Sequence, residues 1–279
     1  MNDREKFLFD LNGFLHIPGV LNAEEVAALN ASIDANMDKK GEDGNSYVGN
    51  STTLVGTHKR GFFSGMLNWP KPWCQPYRDI IVHPKIIPYL NTIHGRGWRL
   101  DHEPFILTAD KNSEGLTLHG STDRHFDGSQ YYTYRNGEIR CGMVVFQYQL
   151  ADVNEGDGGL CVIRGSHKAN FASSVKLREW EEDRDIIYNV PCKAGDLVIF
   201  NEATMHGTLP WKADHERRSL LVRYSPKYLH FAGGFYETTF PEWVNELTEA
   251  QRAVLEPPYI YNRALIEDDG ETVVRPRRE

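Results

Sequence analysis

The chain has 279 residues, of which 40% are hydrophobic and 25% charged, and a formal net charge of −8 at pH 7. That length can bury a substantial core, and one all-β domain of this size is ordinary. The acids are scattered rather than gathered in a tail. This argues against nucleic acid as a partner and against a strongly basic cradle for a polyphosphate such as that of coenzyme A. Residues 1–20 mix acids and bases among their hydrophobics, unlike a secretory signal, and no run of eighteen apolar residues exists to span a membrane. The cysteines, Cys74, Cys141, Cys161 and Cys192, show no C-x-x-C spacing, so buried reduced thiols and cytoplasmic residence are expected.

In chain order, residues 3–10 start a short helix and residues 13–21 read as a first strand ending in a turn. Asn22 caps a second helix, in which Val26, Leu29 and Ile33 recur at helical spacing up to about residue 38. The charged, Gly-rich stretch 39–47 reads as a mobile loop. Residues 59–73 are dense in aromatics and cations, which either pack a helical layer or form a substrate rim. A short helix follows Pro84. From Trp98 to about Tyr224 the pattern changes to strands separated by Gly and Asp turns, the signature of a sandwich. Residues 171–182 interrupt it with a helix, residues 241–255 return to helix, and residues 275–279 form a polar tail. The organisation expected is one domain over 1–279, with a jelly-roll core at about 98–230, a helical N-terminal layer at about 1–97 and a C-terminal helix at about 241–256.

Two fragments carry chemistry. His125-Phe126-Asp127 is an H-x-D pair, whose side chains return to one face of an extended segment. About eighty residues later, the apolar run Leu197-Val198-Ile199-Phe200 leads through Asn201-Glu202-Ala203-Thr204-Met205 to His206-Gly207. Two imidazoles and one carboxylate on one face of a metal, with other positions open, suit a non-haem Fe(II) oxygenase. Arg217 follows His206 and offers a rigid fork for the carboxylate of a bidentate organic acid. Arg217 and Arg218 are adjacent on an extended segment, so they point to opposite faces.

These residues resemble the phytanoyl-CoA dioxygenase-like Fe(II)/2-oxoglutarate oxygenases. The resemblance rests on residues 145–152, on Gly156-Asp157-Gly158-Gly159 through Gly165-Ser166-His167-Lys168, on Lys193-Ala194-Gly195-Asp196, on His206-Gly207-Thr208 and on Arg217-Arg218, and covers roughly residues 10 to 230. It implies a mainly β fold, a double-stranded β-helix (jelly roll) with flanking helices. It also implies iron held by the H-x-D pair and the distal His206, with 2-oxoglutarate and O₂ as co-substrates. By the same resemblance Arg217 binds 2-oxoglutarate with Thr208 beside it, and Gln147 is a further candidate contact.

The register of the first motif is open. The strand end of many relatives is better matched by Leu116-Thr117-Leu118-His119-Gly120, so His119 is an alternative to His125 as first ligand. Asp127 then folds back as the carboxylate, and Glu202, on the strand face of His206, or Asp123 are more remote candidates. Tyr131 and Tyr132 follow the metal loop, and at least one of them is expected to approach the substrate. His167 and His102 read as structural, and His215 and Glu216 as solvated turn residues. The reading that follows is an oxygenase hydroxylating a C–H bond of a small organic molecule, such as a secondary metabolite or amino-acid-derived compound, with no nucleic-acid or membrane partner and a monomeric or homodimeric state. Its rivals are a halide-using variant, should Asp127 not be a ligand, and a non-catalytic jelly-roll binding protein.

Overall fold

The computed structural model describes the chain except residues 43–45, 121–126, 232–239, 262, 269–273 and 277–279. Asn2 caps helix α1 (Asp3–Asn12) and Asn22 caps α2 (Ala23–Asp34), each in a capping box with a glutamate three residues on. Between them runs β1 (Phe14–Ile17). The stretch expected to be a loop holds a short strand, β2 (Gly41–Glu42), which pairs with β3 (Gly61–Phe63). Helix α3 (Gln75–Ile80) was not foreseen, and α4 (Ile87–Ile93) follows Pro84 as expected.

The remaining strands are β4 (Arg99–Leu100), β5 (Phe105–Ala109), β6 (Leu116–His119), β7 (Tyr132–Arg135), β8 (Glu138–Cys141), β9 (Val144–Gln149), β10 (Gly159–Ile163), β11 (Ile187–Asn189), β12 (Leu197–Asn201), β13 (His206–Leu209), β14 (Arg217–Ser225), β15 (Ala264–Ile266) and β16 (Val274–Pro276). Helix α5 (Val175–Arg178) is a single turn, and α6 is Glu249–Leu255. The expected polar tail departs from the structure at Arg275 and Pro276, which belong to β16, paired with β15.

The major sheet runs β1-β12-β9-β14-β5-β3-β2, with β4 on β14, and the minor sheet runs β11-β10-β13-β6. Three strands of the major sheet therefore come from the part read as a helical layer, because the edges of this sheet are completed by N-terminal chain. The major sheet is buried on both faces. Phe146, Tyr148, Ile199, Leu220 and Val222 pack outward against Leu29, Ile33, Tyr77, Leu90 and Ile93. Val145, Val198, Phe200 and Leu221 point inward against Leu160 and Val162 of the minor sheet. Double burial explains why β12 reads as a nearly continuous apolar run rather than an alternating one.

The aromatic stretch 59–73 is mostly packing. Phe63 and Trp69 are buried, with Trp69 edge-on to Tyr77 at 5.7 Å between ring centroids. All four cysteines are buried and free.

Candidate active site between the sheets

A cavity of about 450 Å³ lies between the two sheets. Major-sheet residues Gln147, Phe200, Arg217, Leu221 and Arg223 line one side, and His119, Leu160, His206 and Thr208 of the minor sheet line the other. Strand alternation on β14 sends Arg217, Leu221 and Arg223 inward. Arg218 goes the other way, to Asp34 at 2.8 Å and Glu216 at 2.6 Å. Glu216 also pairs with Lys40 at 2.7 Å, so it is an ion-pair partner and not a solvated turn residue.

β12 and β13 belong to different sheets, and residues 202–205 cross between them. This crossing is stitched on every side. The Glu202 N–H donates to Met143 O at 3.1 Å, Thr204 Oγ1 donates to Gly13 O at 2.8 Å, and the Met205 N–H donates to Ser166 Oγ at 2.7 Å. The last bond gives the G-S-H segment its role here, as a brace for the residue before His206. His167 itself donates from Nε2 to Asp10 O at 3.0 Å and stands edge-on to Tyr132, which fits the structural reading. His102 likewise pairs with buried Asp101 at 2.8 Å.

β13 pairs with β6 so that His206 lies opposite His119, their ring centroids 4.1 Å apart. Two glycines permit the approach. A Cβ on Gly120, where φ is +96°, would meet Glu202 O at 2.6 Å, and one on Gly207 would meet Leu116 O at 2.6 Å. Each imidazole has Nδ1 on a carbonyl two residues back, His206 on Thr204 O at 2.7 Å and His119 on Thr117 O at 3.2 Å. A carbonyl only accepts, so Nδ1 carries the proton, and in the neutral form of either ring Nε2 presents a lone pair.

One donor atom each from His119, Glu202 and His206 lie within 4.8 Å of one another, a spacing at which three groups can hold one metal ion. Glu202 sits on the turn, not on the strand face expected for it, and is buried. Burial opposes its charge, but the His206 imidazole, the Arg223 guanidinium and His119 outweigh it and hold the carboxyl below the ordinary glutamate range. Burial, together with His119, lowers His206 to about 3, against the pull of Glu202 and the Thr204 carbonyl. The neutral imidazole is therefore the form present at pH 7.

The other motif residues fall elsewhere. His125 and Asp123 lie outside the described residues. Asp127 is exposed and turns on itself, its Oδ1 accepting from the Ser129 N–H and Oγ, both at 2.7 Å; it is not in the cluster. Tyr131 bonds Tyr228 and Tyr132 bonds Asp10, and neither lines the cavity, so the expected approach to substrate is not seen.

In the lining of the same cavity Arg217 is 2% exposed, and its Nε and Nη1 have no hydrogen-bond partner among the described residues. Burial and the neighbouring Arg60 lower its pKa to about 10, so it remains cationic at neutral pH. The Nε2 of Gln147 is buried without a partner in the same cavity wall. A buried, unpaired cation is costly unless an anion arrives to meet it.

The phytanoyl-CoA dioxygenase family model matches residues 9–219. The chain belongs to that family. It is accordingly a 2-oxoglutarate-dependent dioxygenase working with iron. No curated protein matches the chain. Among solved structures, HygX from Streptomyces hygroscopicus with nickel, 2-oxoglutarate and hygromycin B bound is 22% identical with a TM-score of 0.65, covering 82% of this chain and 89% of its own. SnoN, an α-ketoglutarate-dependent epimerase from nogalamycin biosynthesis, is 18% identical with a TM-score of 0.58 over 81% of this chain and 83% of its own. SnoK, a carbocyclase from the same biosynthesis, is 17% identical with a TM-score of 0.58 over 82% and 85%. These likenesses agree with the jelly roll of two facing sheets. Among the described residues no helix is long and apolar enough to cross a membrane.

Proposed function

We propose that the enzyme oxidises a C–H bond of a small organic molecule, most simply by hydroxylation, with release of succinate and CO₂. The observation that carries this reading is the pairing of two features in one cavity. At one place two imidazoles, each with Nδ1 held on a backbone carbonyl, turn Nε2 toward the cavity, and at another a buried guanidinium lacks an anion. In this reading His119 and His206 are the imidazoles that hold the iron, and Arg217 receives the remote carboxylate of 2-oxoglutarate. Thr208 supplies a hydroxyl and Gln147 an amide N–H on the same wall. Bound Fe(II) would supply activation of O₂ at the expense of 2-oxoglutarate. The residues around it orient and dry the site: Leu160, Phe200 and Leu221 are apolar lining that excludes water from the reacting groups.

Tyr47, Phe105 and Arg223 belong to the same lining and present rings and charge to a polar organic substrate. The hygromycin B bound by HygX and the origin of SnoN and SnoK in nogalamycin biosynthesis support a natural product over an acyl-CoA. The test is succinate formation from 2-oxoglutarate by the purified protein, followed with and without Fe(II) and O₂. Turnover that requires all three is the expected result. Failure of the metal-loaded protein to bind 2-oxoglutarate by calorimetry would remove the reading.

A further inference from the structure

We propose that Glu202 supplies the carboxylate of the metal-binding set, so that the single turn from Glu202 to His206 delivers both an acid and an imidazole, with Arg223 as the residue that positions the acid. The proposal rests on the oxygenase reading of the site and concerns which carboxylate completes it.

Three observations point to Glu202. The first is its contact geometry. Glu202 Oε1 accepts from Arg223 Nε at 3.3 Å, while Oε2 faces His206 Nε2 at 3.8 Å. The Nδ1 proton of His206 is committed to the Thr204 carbonyl, so Nε2 turns a lone pair toward the carboxylate. Two acceptors face each other in a buried place, and a shared cation resolves that contact. His119 Nε2, with its own Nδ1 on Thr117 O, completes a three-donor face.

The second observation is that the usual source of the acid is missing in the register the structure adopts. His119 is the imidazole opposite His206, and the residue two beyond it is Ser121 rather than an aspartate. Asp127 spends Oδ1 on its own turn and stands outside the cluster.

The third is support. Rigid placement of a ligand requires partners that fix its rotamer and backbone. The turn has them in Met143, Asn201, Gly13 and Ser166, and Arg223 is itself laid over the Phe105 ring at 4.5 Å. Holding one carboxylate oxygen with Arg223 leaves the other for the ion. A carboxylate in this position also leaves no acid vacancy for a halide, which sets the halide-using variant aside.

Co(II) is the probe, titrated into the full-length apoprotein by calorimetry and by its visible d–d absorption. Glu202→Gln is expected to weaken Co(II) by about a hundredfold or more and Arg223→Gln by about tenfold, in line with the cost of disturbing a ligand's support. Asp127→Asn and Asp123→Asn are expected to leave affinity and spectrum unchanged. Glu202→Asp, which keeps the acid on a shorter stem, should recover part of the affinity that Glu202→Gln loses. Parent-like Co(II) affinity and spectrum in Glu202→Gln, with only a lower melting temperature of the apoprotein, would make the residue a structural ion-pair partner and overturn the proposal. Loss of Co(II) in Asp127→Asn or Asp123→Asn instead would overturn it too. The two readings fail separately: a parent protein whose Co(II) spectrum ignores added 2-oxoglutarate would overturn the oxygenase reading while Glu202 could still prove the ligand.

Discussion

Among the described residues, two places gather a histidine, an acid and a third metal-type donor within 4.8 Å: His16, Cys192 and Asp196 on one side, and His119, Glu202 and His206 on the other. Their inventories look alike, but their hydrogen bonds differ. Asp196 is saturated. Its Oδ2 meets His16 Nε2 and the Lys193 N–H, each at 2.8 Å, and its Oδ1 accepts the Gly19 N–H at 2.9 Å. The first cluster is a clip that fastens the turn after β1 to the turn before β12. In the second cluster both Nδ1 atoms are spent on carbonyls, which aims the remaining lone pairs and a carboxylate oxygen at a common point. A set of ligand-type residues is thus a site only when its acceptors lack donors.

The comparison breaks most sharply at the imidazoles. His206→Ala should abolish stoichiometric iron and with it succinate release, because two remaining donors hold Fe(II) poorly against water. His16→Ala should leave iron content at the parent level. Metal analysis of the two purified variants decides between the clusters, and the opposite pattern would exchange their roles. Next in size is Arg217→Ala. Removing a charge-assisted pair from a buried site costs roughly 1.5–3 kcal/mol, so the half-saturating 2-oxoglutarate concentration should rise by about one to two decades with iron retained. Arg218→Ala, whose side chain lies on the far face of the same strand with Asp34 and Glu216, should not show that rise.

Much of this was legible in the sequence because it is local. The run Leu197 to Phe200, the G-S-H-K segment and the neighbouring arginines of β14 are short patterns, and alternation alone separates Arg217 from Arg218. What the sequence left open is what depends on register between distant strands. His119 meets His206 only because β6 pairs with β13 through a bulge at Gly207. No local feature chooses His119 over His125. Glu202 was placed on a strand face with His206, four residues away, whereas the chain turns at 202–204 and reaches the same neighbourhood by crossing between sheets. Of the N-terminal strands of the major sheet, β1 was read as a strand, whereas β2 and β3 were missed for the same reason, since they are two and three residues long and gain their identity from β5.

The clip should show itself in stability and not in metal. Asp196→Asn keeps the shape but removes the charge that three donors share, and is expected to cost about 1–3 kcal/mol. A thermal melt should fall by several degrees while iron stoichiometry holds. Loss of iron with an unchanged melt would mean that the first cluster had been misjudged.

The smallest expected effect is a pH slope in the metal-free protein. His167 is buried beside Lys168, which together lower it to about 4 against the opposing pull of the Asp10 carbonyl and charge; His94 and His206 are lowered by burial to about 3. Each is neutral when folded and takes a proton near its ordinary value of 6.5 when unfolded. Between pH 6.5 and 4 the unfolded chain therefore binds more protons, so stability rises with pH through this window and is lost as pH falls. Carboxylates held below their usual range, such as Asp10 and Glu216, add to the loss only nearer their own ordinary values of 3.8 and 4.5. The interval from pH 6.5 to 5 is therefore dominated by histidine. Urea unfolding at pH 7, 6 and 5 should show falling stability, and His167→Gln, which removes one of the three acceptors of that proton uptake, should flatten the slope. A parent protein equally stable at pH 7 and 5 would mean that these imidazoles take up protons while folded. The neutral form of His206 beside Glu202 would then lose its basis.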